Sequence, residues 1–200
     1  MIYKLSDLTK EKIEIIGNYL KEGKIGVIPT DTIYGIVGAA FLQETVERIY
    51  ELRKRSKDKP MIILISSLDD LKKFEIVLTK KQKEFLAKNW PNPLSVVLEC
   101  KNEKYKYLHR GKDSLAFRVP KDKFLQQILN ISGSLVAPSA NFEGEKPSET
   151  IADAKNYFGQ NVGLYIDKGK ITSSSSTLVM VLEDGAVKIL REGAFKGFAS

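Results

Sequence analysis

Thr177-Leu178-Val179-Met180-Val181-Leu182-Glu183-Asp184-Gly185-Ala186-Val187-Lys188-Ile189-Leu190 reads as a β-hairpin. Two runs rich in β-branched and apolar residues, Thr177–Leu182 and Ala186–Leu190, flank Asp184-Gly185, a two-residue turn signal. A hairpin is antiparallel, so the sheet that contains it is mixed and not a purely parallel, doubly wound one. Upstream, helix and strand patterns alternate. Residues 8–22 form an amphipathic pattern with Ile13, Ile16 and Leu20 on one face and Gly23 as its stop. Ile25-Gly26-Val27-Ile28-Pro29 is a short apolar strand. A helix over 44–52 turns Val46, Ile49 and Tyr50 inward, and Met61-Ile62-Ile63-Leu64-Ile65 is a buried-strand run.

Further along, Ser67 caps a short helix with Leu71 and Phe74, and Thr79 caps one with Phe85 and Leu86. Leu94–Glu99, Leu115–Val119 and Leu135–Ala137 are further strands, with helices around Phe124–Leu129 and over Thr150–Phe158. There is no repeat and no linker. The pattern predicts one α/β domain spanning residues 1–200, a twisted mixed parallel/antiparallel sheet with flanking helices.

The bulk numbers narrow the class. The 200 residues suit one domain, with 42% hydrophobic and 28% charged residues. No apolar run reaches the roughly 18–20 residues of a membrane helix, and no signal-peptide pattern opens the chain. The expectation is a cytoplasmic protein without membrane contact. One cysteine, Cys100, excludes an internal disulfide, and one histidine, His109, excludes a multi-histidine metal cage. No metal site of the protein's own is expected. Cys100 ends an apolar strand and reads as a small core residue. His109 lies in the basic stretch 104–112 with no nucleophile motif beside it and reads as a surface histidine. The net charge of +7 suits a nucleotide, nucleic acid or other anionic partner, and equally a protein with many surface lysines.

No Walker loop is present, and Gly35-Ile36-Val37-Gly38 is too short for a dinucleotide fingerprint. Phosphates, if handled, must meet side-chain cations, hydroxyls and loop amides. Three segments put polar residues at strand ends. Ile28-Pro29-Thr30-Asp31-Thr32-Ile33-Tyr34-Gly35 packs two threonines, an aspartate and a tyrosine behind a strand; such residues also make caps and turns. Arg53-Lys54-Arg55-Ser56-Lys57-Asp58-Lys59-Pro60 is a solvated loop or a phosphate clamp. Val136-Ala137-Pro138-Ser139-Ala140-Asn141, followed by Gly144, Lys146, Pro147 and Ser148, runs an apolar strand into small hydroxyl and amide residues, where α/β proteins place ligand contacts. Arg118 sits inside an apolar strand, which demands a ligand carboxylate or a buried acid. Arg191 repeats the theme at a strand end.

In this order, these segments resemble the threonylcarbamoyl-AMP synthase family, the YrdC-like domain, in its short single-domain form. The resemblance rests on Pro-Thr-Asp-Thr-Ile-Tyr-Gly at 29–35, the basic motif at 53–60, Ser-Leu-Ala-Phe-Arg-Val-Pro at 114–120, Pro-Ser-Ala-Asn at 138–141, Ser-Ser-Thr at 175–177 and Leu-Arg-Glu-Gly at 190–193. It implies a large electropositive concave face, without the further C-terminal domain of longer members. It also implies an L-threonylcarbamoyladenylate synthase, a nucleotidyltransferase that joins L-threonine, bicarbonate and ATP with release of pyrophosphate. The product serves N6-threonylcarbamoyladenosine formation at tRNA position 37, through a transferase partner.

By resemblance, Thr32, Arg118 and Ser176 contact threonine. Arg55, Lys59, Ser114, Ser139, Asn141, Ser148 and Arg191 contact ATP, and Arg53 and Arg55 act in catalysis with Mg²⁺ carried by ATP. The chain departs from the family in two places. Arg53 stands where lysine is usual, with Lys54 next to it as the other candidate, and Leu64 stands where some members carry histidine. A double-stranded RNA or tRNA-binding module, or a paralogue with altered carbamoyl-adenylate chemistry, is the alternative.

Overall fold

The computed structural model describes residues 1–197; the last three residues of the expected 1–200 domain lie outside the described residues. In chain order the elements are β1 (Ile2–Lys4), α1 (Lys10–Lys21), β2 (Gly26–Pro29), β3 (Tyr34–Ala39), α2 (Gln43–Leu52) and β4 (Ile62–Leu64). They continue with α3 (Lys80–Asn89), β5 (Leu94–Glu99), α4 (Lys106–His109), β6 (Ser114–Arg118), α5 (Lys123–Ser132) and β7 (Leu135–Val136). The chain then runs through α6 (Ile151–Phe158), β8 (Leu164–Asp167), β9 (Thr177–Val181) and β10 (Val187–Arg191). Helix starts follow cap chemistry. Thr9, Thr79, Asp122 and Thr150 each accept a backbone N–H from the first turn of α1, α3, α5 and α6.

All ten strands share one sheet, in the order β1-β8-β2-β3-β7-β4-β6-β5-β9-β10. Parallel pairs (β1 with β8, β2 with β8, β4 with β6, β5 with β9) mix with antiparallel ones (β2–β3, β3–β7, β4–β7, β5–β6, β9–β10). The mixed sheet read from the hairpin is the one observed.

The two faces are covered unequally. One face carries a core that includes Val27, Ile36, Val96, Phe117 and Val179 packed with Val46 and Ile49 of α2 and Leu86 of α3. On the other face α1 and α5 seal only part of the sheet. Ile16, Leu20, Leu125 and Ile128 pack there on Ile28, Val37, Leu64 and Leu164. Beyond β4, towards β6, β5 and β9, no helix among the described residues covers that face. The strands there keep a period of two. Leu115 and Phe117 of β6 are buried, and Ser114 and Ala116 turn to the open side. In β9, Val179 and Val181 are buried, and Leu178 and Met180 face out.

Three expectations need correction. β1, β3 and β8 are strands that no sequence pattern announced. β1 has three residues and β8 four, and every residue of β3 is buried, so alternation is absent. The hairpin closes with a three-residue loop, Glu183–Gly185, in which the Leu182 N–H donates to the Ala186 carbonyl at 2.9 Å. Gly185 takes φ +87°, the left-handed third position of such loops. His109 is fully buried, its Nδ1 accepting the Gly111 N–H at 3.1 Å. The neighbouring Arg110 stacks on the Tyr50 ring and pairs with Glu47 at 2.7 Å, which draws this polar stretch against α2. Cys100 is buried, as read from its strand.

One polar knot holds the turn after β4. Asp70 accepts from the Ser66 N–H at 2.7 Å, the Ser66 hydroxyl at 2.6 Å and Lys73 Nζ at 2.7 Å. Burial pushes the Asp70 carboxyl up, but the Lys73 and Ser66 bonds together leave it below the usual aspartate value. A carboxyl lowered in the fold contributes stability above its unfolded pKa and loses it as pH falls through the folded one. Asp70→Asn therefore costs about 1–3 kcal/mol at neutral pH, the worth of hydrogen bonds to a charged group. In urea unfolding the gap to the parent chain closes as pH is lowered below the ordinary aspartate range; an unchanged gap in acid contradicts the assignment.

Candidate active site

The uncovered part of the sheet face is the floor of a cleft of about 510 Å³. Strand register sets that floor. Ala116 of β6 lies opposite Ile62 of β4 and Val97 of β5, and Val97 lies opposite Met180 of β9. These four side chains form an apolar row across four strands, with small Ala116 leaving room above it. Polar residues ring the row. Arg53, Arg55, Lys112, Arg118 and Arg191 line the cleft, and no acid among the described residues lines it. The concavity is therefore electropositive.

The three polar segments converge by backbone pairing. Beyond β7 the chain continues as an extension between β3 and β4. The Ala137 N–H donates to the Ile62 carbonyl at 2.8 Å, the Ile36 N–H to the Pro138 carbonyl at 3.0 Å and the Ala140 N–H to the Tyr34 carbonyl at 2.9 Å. Gly35 bridges Ser139, and its missing side chain leaves space beside Thr30 and the Pro138 carbonyl. The Pro-Thr-Asp-Thr and Pro-Ser-Ala-Asn segments are thus neighbouring walls.

Arg53 fastens the basic segment to them. Its Nε donates to the Asn141 carbonyl at 3.1 Å, and its Nη2 to the Ser139 hydroxyl at 3.1 Å and Asn141 Oδ1 at 3.4 Å. Arg53 Nη1 is buried without a hydrogen-bond partner. Burial, and then the nearby Arg55 charge, push its guanidinium down to about 10, so it remains a cation at neutral pH. Lys54 turns away, its Nζ 4.0 Å from the centroid of the Phe142 ring. Arg53, not Lys54, is the residue presented to the cleft. Arg55 also lines it, held by bonds from Nε to the Lys59 carbonyl and from Nη2 to the Pro60 carbonyl, both 3.1 Å.

Arg118 meets the buried acid that its strand position demanded. Its Nη2 lies 3.1 Å from Asp31 Oδ1, and both side chains are more than nine-tenths buried. Arg118 Nε has no hydrogen-bond partner. Burial raises the Asp31 carboxyl and lowers the Arg118 guanidinium, and each partner opposes the other's shift. Asp31 thus braces the guanidinium on one side, and the buried Nε stays unpaired. Asp31 stands out only as part of the Pro-Thr-Asp-Thr segment; the need of a strand-borne arginine for an acid is what points to its role.

Thr32 is buried, its hydroxyl 3.0 Å from that of Thr30. The Ser173 hydroxyl bonds the Thr32 carbonyl and draws the approach to β9 against this turn. Ser176 pairs with the Ser95 hydroxyl at 2.8 Å, and Arg191 Nη2 donates to its carbonyl at 2.8 Å. Ser114 and Ser139 lie in the same lining.

Three of the expected residues stand behind the lining. Asn141 Nδ2 bonds the Phe142 and Glu145 carbonyls at 2.6 and 2.9 Å, and the Ser148 hydroxyl bonds the Ala140 carbonyl, so both shape the wall. Lys59 is paired with Glu143 at 2.7 Å. Lys112, on the rim between α4 and β6, is a cation that no motif pointed to.

Arg53→Lys keeps the charge but cannot reproduce a fork that reaches a carbonyl and two side-chain oxygens. We expect it to lower stability by about 1.5–3 kcal/mol in urea unfolding, from hydrogen bonds to a charged group lost in a buried site. Unchanged stability in Arg53→Lys rules out this clamp.

Comparison with known proteins agrees with this geometry. The family model for Sua5/YciO/YrdC proteins, described as telomere recombination, matches residues 18–193. A threonylcarbamoyl-AMP synthase of Pyrococcus abyssi is 34% identical over 189 residues, covering 91% of this chain and 54% of that protein. A putative threonylcarbamoyl-AMP synthase of Methanocaldococcus jannaschii is 26% identical over 193 residues, covering 96% of this chain and 91% of its own length. The crystal structure of P. abyssi Sua5 complexed with L-threonine superposes with a TM-score of 0.85 at 27% identity, covering 96% of this chain and 57% of that one. The chain thus spans little more than half the length of the P. abyssi protein and nearly all of the M. jannaschii one. From its sheet order, its cationic cleft and these matches, the chain belongs to the Sua5/YciO/YrdC family.

Proposed function

We propose that this chain is an L-threonylcarbamoyladenylate synthase, a cytoplasmic nucleotidyltransferase that supplies threonylcarbamoyl-AMP for tRNA modification. The observation that carries the reading is the Arg118 fork. It is braced by Asp31 at one end of a cleft whose other walls are cationic and lined with hydroxyls. An amino acid carboxylate suits Arg118, with Thr32 and Ser176 beside it. Polyphosphate suits Arg55 and Arg191, with Ser114 and Ser139 on the nucleotide side. The apolar row on the floor suits a carbon skeleton lying between the two.

In the reaction, the threonine amine takes up the carbon of bicarbonate with loss of water, giving an N-carboxylate. An oxygen of that carboxylate attacks the α-phosphorus of ATP. The bond from this phosphorus to the bridging oxygen breaks, and pyrophosphate leaves with the electron pair. Two anions must be brought together, so the protein's work is alignment and charge neutralisation. Arg118 fixes one reactant, and Arg55, with Arg53 beside it, neutralises the phosphate oxygens. Among the described residues, no three His, Cys, Asp or Glu side chains converge on a metal position. Mg²⁺ would therefore be held by nucleotide oxygens, where it supplies further charge on the leaving pyrophosphate.

The purified chain with L-threonine, labelled bicarbonate, ATP and Mg²⁺ is expected to release pyrophosphate and form a labelled adenylate; neither product sinks the proposal. Arg118→Ala should raise KM for threonine at least about tenfold, the effect of losing a charged hydrogen-bond partner, and leave KM for ATP nearly unmoved. Arg55→Ala should do the reverse.

A further inference from the structure

The basic segment and the loop after Pro-Ser-Ala-Asn meet at one more place, next to the lining residues Arg55 and Pro60. Glu143 Oε2 accepts the Ser56 N–H at 2.6 Å, and Glu143 Oε1 accepts from Lys59 Nζ at 2.7 Å. The Glu143 N–H donates to the Arg53 carbonyl at 2.8 Å. The Lys59 bond, the Ser56 amide and the Arg55 charge all hold the Glu143 carboxyl below the usual glutamate range. A loop amide, an ammonium and a neighbouring guanidinium are the donor set of an anion seat. The anion in it is a side chain of this same chain.

The arrangement splits the basic loop. Arg55 lines the cleft, while Lys59, three residues before the start of β4, is turned to Glu143. The Lys59 side chain is 56% exposed and that of Glu143 24% exposed. An ion pair this wet is worth roughly 0.2–1 kcal/mol, so exchanging partners costs Lys59 little. A nucleoside triphosphate along the cleft brings several negative charges to these donors, and a carboxylate beside them repels it.

We propose that Glu143 is the resident occupant of a phosphate seat made by the Ser56 amide and Lys59, and that it gives way when the terminal phosphates of the nucleotide arrive. Glu143 thereby sets the affinity for the nucleotide. This inference rests on the synthase reading above, in which a triphosphate enters the cleft.

Inorganic pyrophosphate is the probe, since its binding needs no turnover. In titration calorimetry Glu143→Gln is expected to bind pyrophosphate roughly two- to fivefold more tightly than the parent chain, the factor that a surface ion pair is worth. Glutamine can still accept from Ser56 but no longer neutralises Lys59. KM for ATP should fall by the same factor, and added salt should shrink the difference. In a Lys59→Ala background the gain should vanish. Glu143→Ser serves as a second, smaller variant and should tighten binding in the same direction. Equal or weaker pyrophosphate binding in Glu143→Gln overturns the proposal and makes Glu143 a strut of the loop. A gain that persists undiminished without Lys59 overturns it too. Tighter pyrophosphate binding together with no ATP turnover by the parent chain would sink the synthase reading and leave the seat standing.

Discussion

Two helices, α1 and α5, cover one end of a ten-stranded sheet face and leave the rest of that face bare. Bare apolar sheet would be a liability in water, and here the apolar row on the open side is narrow and ringed by polar and cationic residues. Ser114 and Ala116 replace the large side chains that β6 turns to its buried side. The cleft is a consequence of that uneven cover. The polar segments then need only reach its edges, and backbone pairing between β3 and the extension of β7 brings two of them there side by side.

Two buried arginines show how the edges are made rigid. An unpaired guanidinium in a dry wall costs several kcal/mol. Arg53 and Arg118 avoid this in different ways. Arg53 spends its fork on the chain itself, a carbonyl and two side-chain oxygens from 139–141. Arg118 leans on a single acid, Asp31, and leaves its Nε unpaired. The first is therefore chiefly a clamp that shapes a wall, and the second is a cation held in place at the cleft. The replacement of a usual lysine by Arg53 fits the first role, because a lone ammonium has no planar fork with which to span those three acceptors.

Much of this was legible in the sequence, and the exceptions share a physical cause. Long amphipathic helices and half-buried strands declare their period, so α1, α2, β5 and β9 were read within a residue or two. β3 escaped because it is buried on both sides and interrupted by glycines, and β1 and β8 escaped because they are too short to show a period. The motif residues that line the cleft were legible as polar breaks at strand ends. What the sequence did not separate is which of them face inward. Asn141 and Ser148 satisfy backbone carbonyls from behind the wall, and that distinction depends on side-chain direction, which no spacing encodes. The burial of His109 escaped for a related reason. Its shelter comes from α2, distant in the chain, through the Arg110–Glu47 pair and the Tyr50 ring.

The register of β9 has a further consequence for how the protein matures. β9 lies parallel to β5, pairing residues 177–180 with 94–97, and it brings Ser176 and the Arg191 contact with it. Every other wall of the cleft is synthesised before this hairpin. A nascent chain released as far as α6 has its basic loop and its Asp31–Arg118 pair in hand, but the floor stops at β5. The pairing that completes it closes a loop of some eighty residues, a slow and entropically costly step. A ligand that touches both β5 and β9 would stabilise the docked hairpin by mass action.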